Sequence, residues 1–175
     1  KEFWLSHDVT TLPSGLILKI GALKDSTLIR SGVLELGKVY ESFLEILMTS
    51  KRVTGISPIF HPDYVPVIEH LLSQGNSVEL ILSSAVLSKT LASAKVDQLK
   101  KNFEDGTLKI YLRDNLKVAL TVTEKNFSLG LFKHNGEYDD NMDLISFSQE
   151  AIEWGKELFQ DYLTKSRRIG LETFG

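Results

Sequence analysis

The sequence predicts an α/β fold: a mixed β-sheet with flanking helices, preceded by a helical N-terminal segment. Three observations carry this. From Val53 onward, segments of strand character alternate with segments of helical period, the signature of a layered α/β domain. Further along, three segments in close succession show strict period two. Ahead of both, the first fifty residues carry helical rather than strand periodicity.

Taken in order, Pro13 suits the first turn of a helix running through Leu16, Ile17 and Ile20, which Gly21 weakens or ends. Residues 26–33 are ambiguous, with Gly32 as a break. Tyr40, Phe43, Leu44 and Leu47 fall at i, i+3, i+4 and i+7 and make one apolar helical stripe. A strand is expected over 52–56, then a helix over 62–72 with Gly75 just past its end. The next strand covers 77–83, where Val78, Leu80 and Leu82 alternate with Glu79 and Ile81. Residues 85–103 read as helical with an interruption near Ser93, and Asp105-Gly106 turns the chain.

Leu108, Ile110 and Leu112 then alternate with Lys109, Tyr111 and Arg113. Val118, Leu120 and Val122 alternate with Ala119 and threonines, and Phe127, Leu129 and Leu131 with Ser128 and Gly130. The connections at Asp114-Asn115 and Lys125-Asn126 are short enough for antiparallel hairpins. Residues 134–142 read as a polar loop. A last helix starts near Ser148, capped by Ser146 with Gln149 or by Ser148 itself, and carries Ala151, Trp154, Leu158 and Tyr162 on its inner stripe.

Composition excludes several function classes. A net charge of −3 argues against the chain itself neutralising nucleic-acid phosphates, since Lys100-Lys101 and Arg167-Arg168 are isolated pairs. No apolar run approaches the roughly 18 to 20 residues needed to cross a bilayer. The chain has no Cys, which removes disulfides and thiolate ligands and fits a cytoplasmic setting. It starts at Lys1 and not Met, so an upstream segment is expected.

The four His, at 7, 61, 70 and 134, lack zinc-binding spacing, and no GxGxxG, Walker loop or GxSxG elbow is present. Neither a metal nor a cofactor is expected. The run Asp139-Asp140-Asn141-Met142-Asp143 has oxygen ligands in number but lacks the Gly and bidentate Glu of a calcium loop, and reads as an Asx-rich turn.

Four phrases, in order, are more specific: Phe3-Trp4-Leu5-Ser6-His7-Asp8, Gly55-Ile56-Ser57-Pro58-Ile59-Phe60-His61-Pro62, Ala119-Leu120-Thr121-Val122-Thr123 and Ala151-Ile152-Glu153-Trp154-Gly155-Lys156-Glu157-Leu158-Phe159. Together they resemble the effector-side domain of archaeal winged-helix transcriptional regulators of the methanogenesis-regulator (FilR-type) family. The strand order also resembles one half of a phospholipase D-like domain, as in TrmB-type archaeal regulators. The resemblance implies a mainly helical linker or dimerisation segment over 1–50 and an α/β effector domain over 51–175. It also implies a winged helix-turn-helix upstream that makes the DNA contact.

The phospholipase D motif is HxK, four residues, then D. Against Lys117, the nucleophile position holds Asn115 and the acid position Val122. Asn cannot attack phosphorus and Val cannot move a proton, so the resemblance extends to the scaffold and not to its catalytic groups.

The function expected is thus a non-catalytic ligand-sensing or dimerisation domain of a transcriptional regulator, working as a homodimer with a small-molecule effector. Residues 34–48 and 151–163 are candidate dimer surfaces. The alternative is a phosphodiesterase or other hydrolase with a degenerate site, using His61 and Arg113. The expected ligand-binding groups are Ser57, His61, Ser83, Ser84, Tyr111 and Arg113: hydroxyls, an imidazole and a guanidinium placed at strand ends, where open α/β sheets bind.

Overall fold

The computed structural model describes residues 1–30 and 34–175, and their side chains except those of 34–40 and 42. Gly32 and the side chain of Tyr40 lie outside the described residues. Two short helices, α1 (Glu2–Ser6) and α2 (Ser14–Leu18), and a 3-10 turn at Ile20–Leu23 lead into β1 (Thr27–Arg30) and α3 (Leu34–Thr49). The parallel unit follows: β2 (Arg52–Ser57), α4 (Tyr64–Ser73), β3 (Ser77–Leu82), α5 (Ser84–Ser93), α6 (Val96–Asp105) and β4 (Leu108–Leu112). Then come β5 (Val118–Thr123), β6 (Phe127–Leu131), β7 (Met142–Ser146), α7 (Gln149–Leu163), β8 (Arg167–Arg168) and a closing 3-10 turn.

Local chemistry explains the boundaries. Pro66 falls in the first turn of α4, where no helical donor is needed, and Gly75, at φ +76°, releases the chain from its end. Gly106 does the same after α6 at φ +84°. Ser83 caps α5 by accepting from the Val86 N–H, and Ser148 caps α7 by accepting from Ala151, so Ser148 and not Ser146 is the cap.

Among the described residues one mixed sheet runs β1-β7-β6-β5-β2-β3-β4-β8, with β2, β3 and β4 parallel and the other pairings antiparallel. The hairpin expected at Asp114-Asn115 does not form. β4 pairs with β3 and β8, and β5 with β2 and β6, so residues 113–117 cross the carboxyl ends of β3 and β2. Three inter-strand spacings are about 14 Å, within the reach of five extended residues at about 3.4 Å each. A link short enough for a hairpin is thus also long enough to skip two strands. The hairpin at Lys125-Asn126 forms.

Each face of the sheet has its own core. Val118, Leu120, Val122, Phe127, Leu129 and Leu131 pack against α7 through Trp154, Leu158 and Phe159. Phe3, Leu12, Leu16 and Leu23, all from the first thirty residues, lie in the same cluster, and β1 lies in the same sheet. The Trp154 indole N–H donates to the Leu16 carbonyl at 3.0 Å. Opposite, Val78, Leu80, Leu82, Leu108 and Ile110 pack against α3, α4, α5 and α6. Among the described residues no helix is long and apolar enough to cross a membrane.

Candidate functional site

The carboxyl end of β2 opens into a cavity of about 620 Å³ on the face covered by α3 and α4. Its floor explains why it exists. On β2, β5 and β6 the residues directed to this face are Gly55, Ala119, Thr121, Ser128 and Gly130, with Gly55 opposite Thr121, Thr121 opposite Ser128 and Ala119 opposite Gly130. Small side chains in adjacent positions leave a hollow that the helices span without filling. Phe43 and Leu47 of α3 and Val67, Ile68 and Leu71 of α4 enclose it, and residues 58–61 with Tyr64 form its rim.

The two ends differ chemically. Toward β3 the wall is apolar, with Leu80 and Leu71; toward β7 and β1 it carries Arg30, Tyr138, Asp140, Asn141 and Asp143. Gly130 sits under the Tyr138 hydroxyl and the Asp143 carboxylate: a Cβ there would lie 2.4 Å from the one and 2.7 Å from the other. Burial first, then the charge of Asp139, pushes the Asp143 carboxyl up to about 6, with His7 acting weakly the other way. Burial and the charge of Asp143 push the Tyr138 phenol upward as well.

Behind this end, α1 is pinned to the loop before β7. His7, fully buried, places Nε2 3.0 Å from the Asp139 carboxylate and Nδ1 2.6 Å from the Phe3 carbonyl. A carbonyl can only accept, so Nδ1 donates and Nε2 is left to face Asp139. Asp139 also accepts from the Asn141 N–H at 3.0 Å, which makes the acidic run an Asx turn. Among the described residues no group of three or more His, Asp and Glu is placed to hold a metal ion.

The six residues singled out in the sequence do not converge. Ser57 and His61 line the cavity. His61 is an exposed rim group whose Nδ1 accepts from the Asp63 N–H at 3.3 Å and whose ring lies 5.3 Å from that of Tyr64. Ser83 is committed to its helix cap, and Ser84 donates through its backbone N–H and its hydroxyl to Asp114. Tyr111 packs with the α7 cluster, and Arg113 lies over the Tyr162 ring at 4.3 Å and donates to the Tyr162 carbonyl at 3.4 Å. Tyr111 and Arg113 therefore serve the other face of the sheet. Tyr138 was not singled out, and Asp143 only within the acidic run read as an Asx-rich turn. The available signal was the period-two row of small residues on β5 and β6, which marks a face with room above it.

Residues 36–165 match the family described as methanogenesis regulatory protein FilR1, middle domain. The chain belongs to this family. It is 30% identical over 174 residues to the methanogenesis regulatory protein FilR1 of Methanothrix harundinacea (strain 6Ac), covering 96% of this chain and 39% of that protein. The chain thus spans well under half the length of this relative. Among solved structures, TrmBL2, described as an archaeal chromatin protein with a novel mode of DNA binding, superposes with a TM-score of 0.61 at 13% identity, over 81% of this chain and 53% of that one. Nuc from Salmonella typhimurium, a phospholipase D family member, gives a TM-score of 0.57 at 13% identity, over 83% of this chain and 97% of that one. NucT from Helicobacter pylori gives 0.56 at 18%, covering 83% and 99%.

These likenesses establish a phospholipase D-like fold for this FilR1 middle domain. Where the phospholipase D motif would stand, Asn115 occupies a left-handed turn position at φ 58°, Lys117 lies 5.0 Å over the Phe132 ring, and Val122 is buried against α7.

Proposed function

We propose that this FilR1 middle domain is the non-catalytic sensing part of an archaeal transcriptional regulator, binding a small molecule in the cavity at the end of β2. The observation that carries this is the small-residue floor: Ala119, Thr121 and Ser128, between Gly55 under Leu80 and Gly130 under Tyr138 and Asp143, underlie a ligand-sized space. Absence of a nucleophile and an acid at Asn115 and Val122 supports a non-catalytic role. Ser57 and His61 at the rim contact the ligand as it enters. A winged helix upstream makes the DNA contact, and two copies of the regulator pair.

Ligand binding then favours one arrangement of the pair and changes the spacing of the DNA-reading heads. The loop that carries Tyr138, Asp140 and Asn141 into the cavity also carries Asp139, which holds His7 at the end of α1. A state of the cavity is thereby felt at the N-terminal segment, on the side where a reading head would be attached.

The test is a thermal-shift screen of a metabolite panel on the wild-type chain and on Thr121→Phe, which fills the floor. A cavity ligand at a hundred times its Kd stabilises the fold by about 2.7 kcal/mol. The expected result is a shift in the wild type that Thr121→Phe abolishes. A shift that survives in Thr121→Phe would place the ligand elsewhere and reject the cavity as sensor.

A further inference from the structure

Resting on the assignment of the cavity as the sensing site, we propose that its ligand is an organic cation. The ligand is a small alkylammonium whose charged head sits against Asp143 and Tyr138, the two groups that cover Gly130, and whose apolar part points toward Leu80 and Leu71.

Three observations lead there. First, the cavity is polar at one end and apolar at the other, so its occupant must be amphipathic and oriented. Second, Asp143 is the carboxylate at that end that, among the described residues, forms no hydrogen bond or ion pair, although the Tyr138 hydroxyl lies over the same glycine. Arg30, the cation lining the same cavity, is paired with Glu2, and the nearby His7 is paired with Asp139. A half-buried carboxylate without a partner loses hydration without compensation, and a ligand cation supplies what is missing. Third, the groups beside it are aromatic: Tyr138 over Gly130, with Phe60 and Tyr64 at the rim, and ring faces attract an ammonium.

The charged and titratable groups around Asp143 are Arg30 from β1, Tyr138 and Asp140 from the loop before β7, and His61 and Tyr64 at the rim. Asp139 and His7 lie behind them. With its carboxyl at about 6, Asp143 must lose a proton to hold a cation, so affinity rises between pH 5 and 7 and levels off above.

Isothermal titration calorimetry of the full chain with propylammonium, isobutylammonium and tetramethylammonium chlorides, against butanol and glucose as neutral probes, tests this at pH 7.5. The expected result is that at least one ammonium saturates the chain with affinity tenfold or more above both neutral probes. Asp143→Asn, which keeps shape and removes charge, lowers that affinity at least tenfold while its circular dichroism matches the wild type. Binding of glucose or butanol in preference, unchanged in Asp143→Asn and lost in Thr121→Phe, would overturn the cation while leaving the cavity as the sensor. Failure of all three ammonium probes at millimolar concentration, or ammonium binding that Asp143→Asn leaves intact, overturns it as well.

Discussion

The two faces of strands β5 and β6 are made by alternate residues of the same short segments, yet they do opposite work. Facing α7 are Val118, Leu120, Val122, Phe127, Leu129 and Leu131, all buried and in one cluster. Facing α3 and α4 are Ala119, Thr121, Ser128 and Gly130, with a cavity above them. On the first face the helix presses so close that a Cβ on Gly155 would lie 2.7 Å from Phe127 and from Val122. Period two therefore separates a face that supplies stability from a face that can afford emptiness, and the first makes the second tolerable.

The largest contrast is expected between neighbours. Phe127→Ala, on the filled face beside Trp154, should cost about 3–5 kcal/mol, whereas Ser128→Ala, one residue on, should stay within about 0.5 kcal/mol. Urea denaturation of both variants measures the gap, and equal losses would erase the distinction between the faces. Next in size, Gly155→Ala forces a methyl into Phe127 and Val122 and should lose about 1–3 kcal/mol, read by the same melts.

The smallest effect has the opposite sign. The Asp143 carboxyl sits at about 6 in the fold against an ordinary 3.8, so the folded state holds its proton more tightly than the unfolded chain does. The resulting stabilisation is complete below about pH 4 and lost as pH rises through 6, and at neutral pH the ionised group is a burden. Asp143→Asn should therefore raise stability at pH 7.5 by about 1 kcal/mol, allowing for partial exposure, with the gain shrinking toward pH 4.5. Thermal melts at the two pH values check it, and a variant less stable than wild type at pH 7.5 would mean that Asp143 has a stabilising partner.

Much of this architecture was legible in the sequence because it is written in local periodicity. The parallel unit from β2 to β4, the break between α5 and α6 and the buried stripe of α7 all follow from spacing and punctuation. What was not legible depends on partners far away. β7 is five residues long and follows an acidic turn, so nothing local marks Met142–Ser146 as a strand; it is one because β1 and β6 flank it. The link after β4 had the length of a hairpin, and length alone cannot say which strand receives it.

The site was half legible for the same reason. Ser57 and His61 sit where strand-end logic put them, while Tyr111 on β4 and Arg113 just past its end point away because both have the wrong parity. Tyr138 reaches the cavity only by folding back over Gly130, a contact that no spacing announces.

The pairing of β1 with β7 also sets a clock. The first strand emerges from the ribosome more than a hundred residues before its partner, and at roughly 5–20 residues per second it waits on the order of ten seconds. Phe3, Leu12 and Leu16 wait longer still, since α7 must follow before they are covered. The parallel strands can assemble meanwhile, whereas the N-terminal segment, though the first to be made, has its partners only once β7 and α7 have emerged. The buried contact of His7 with Asp139, across 132 residues of chain, is likewise one that only late synthesis permits.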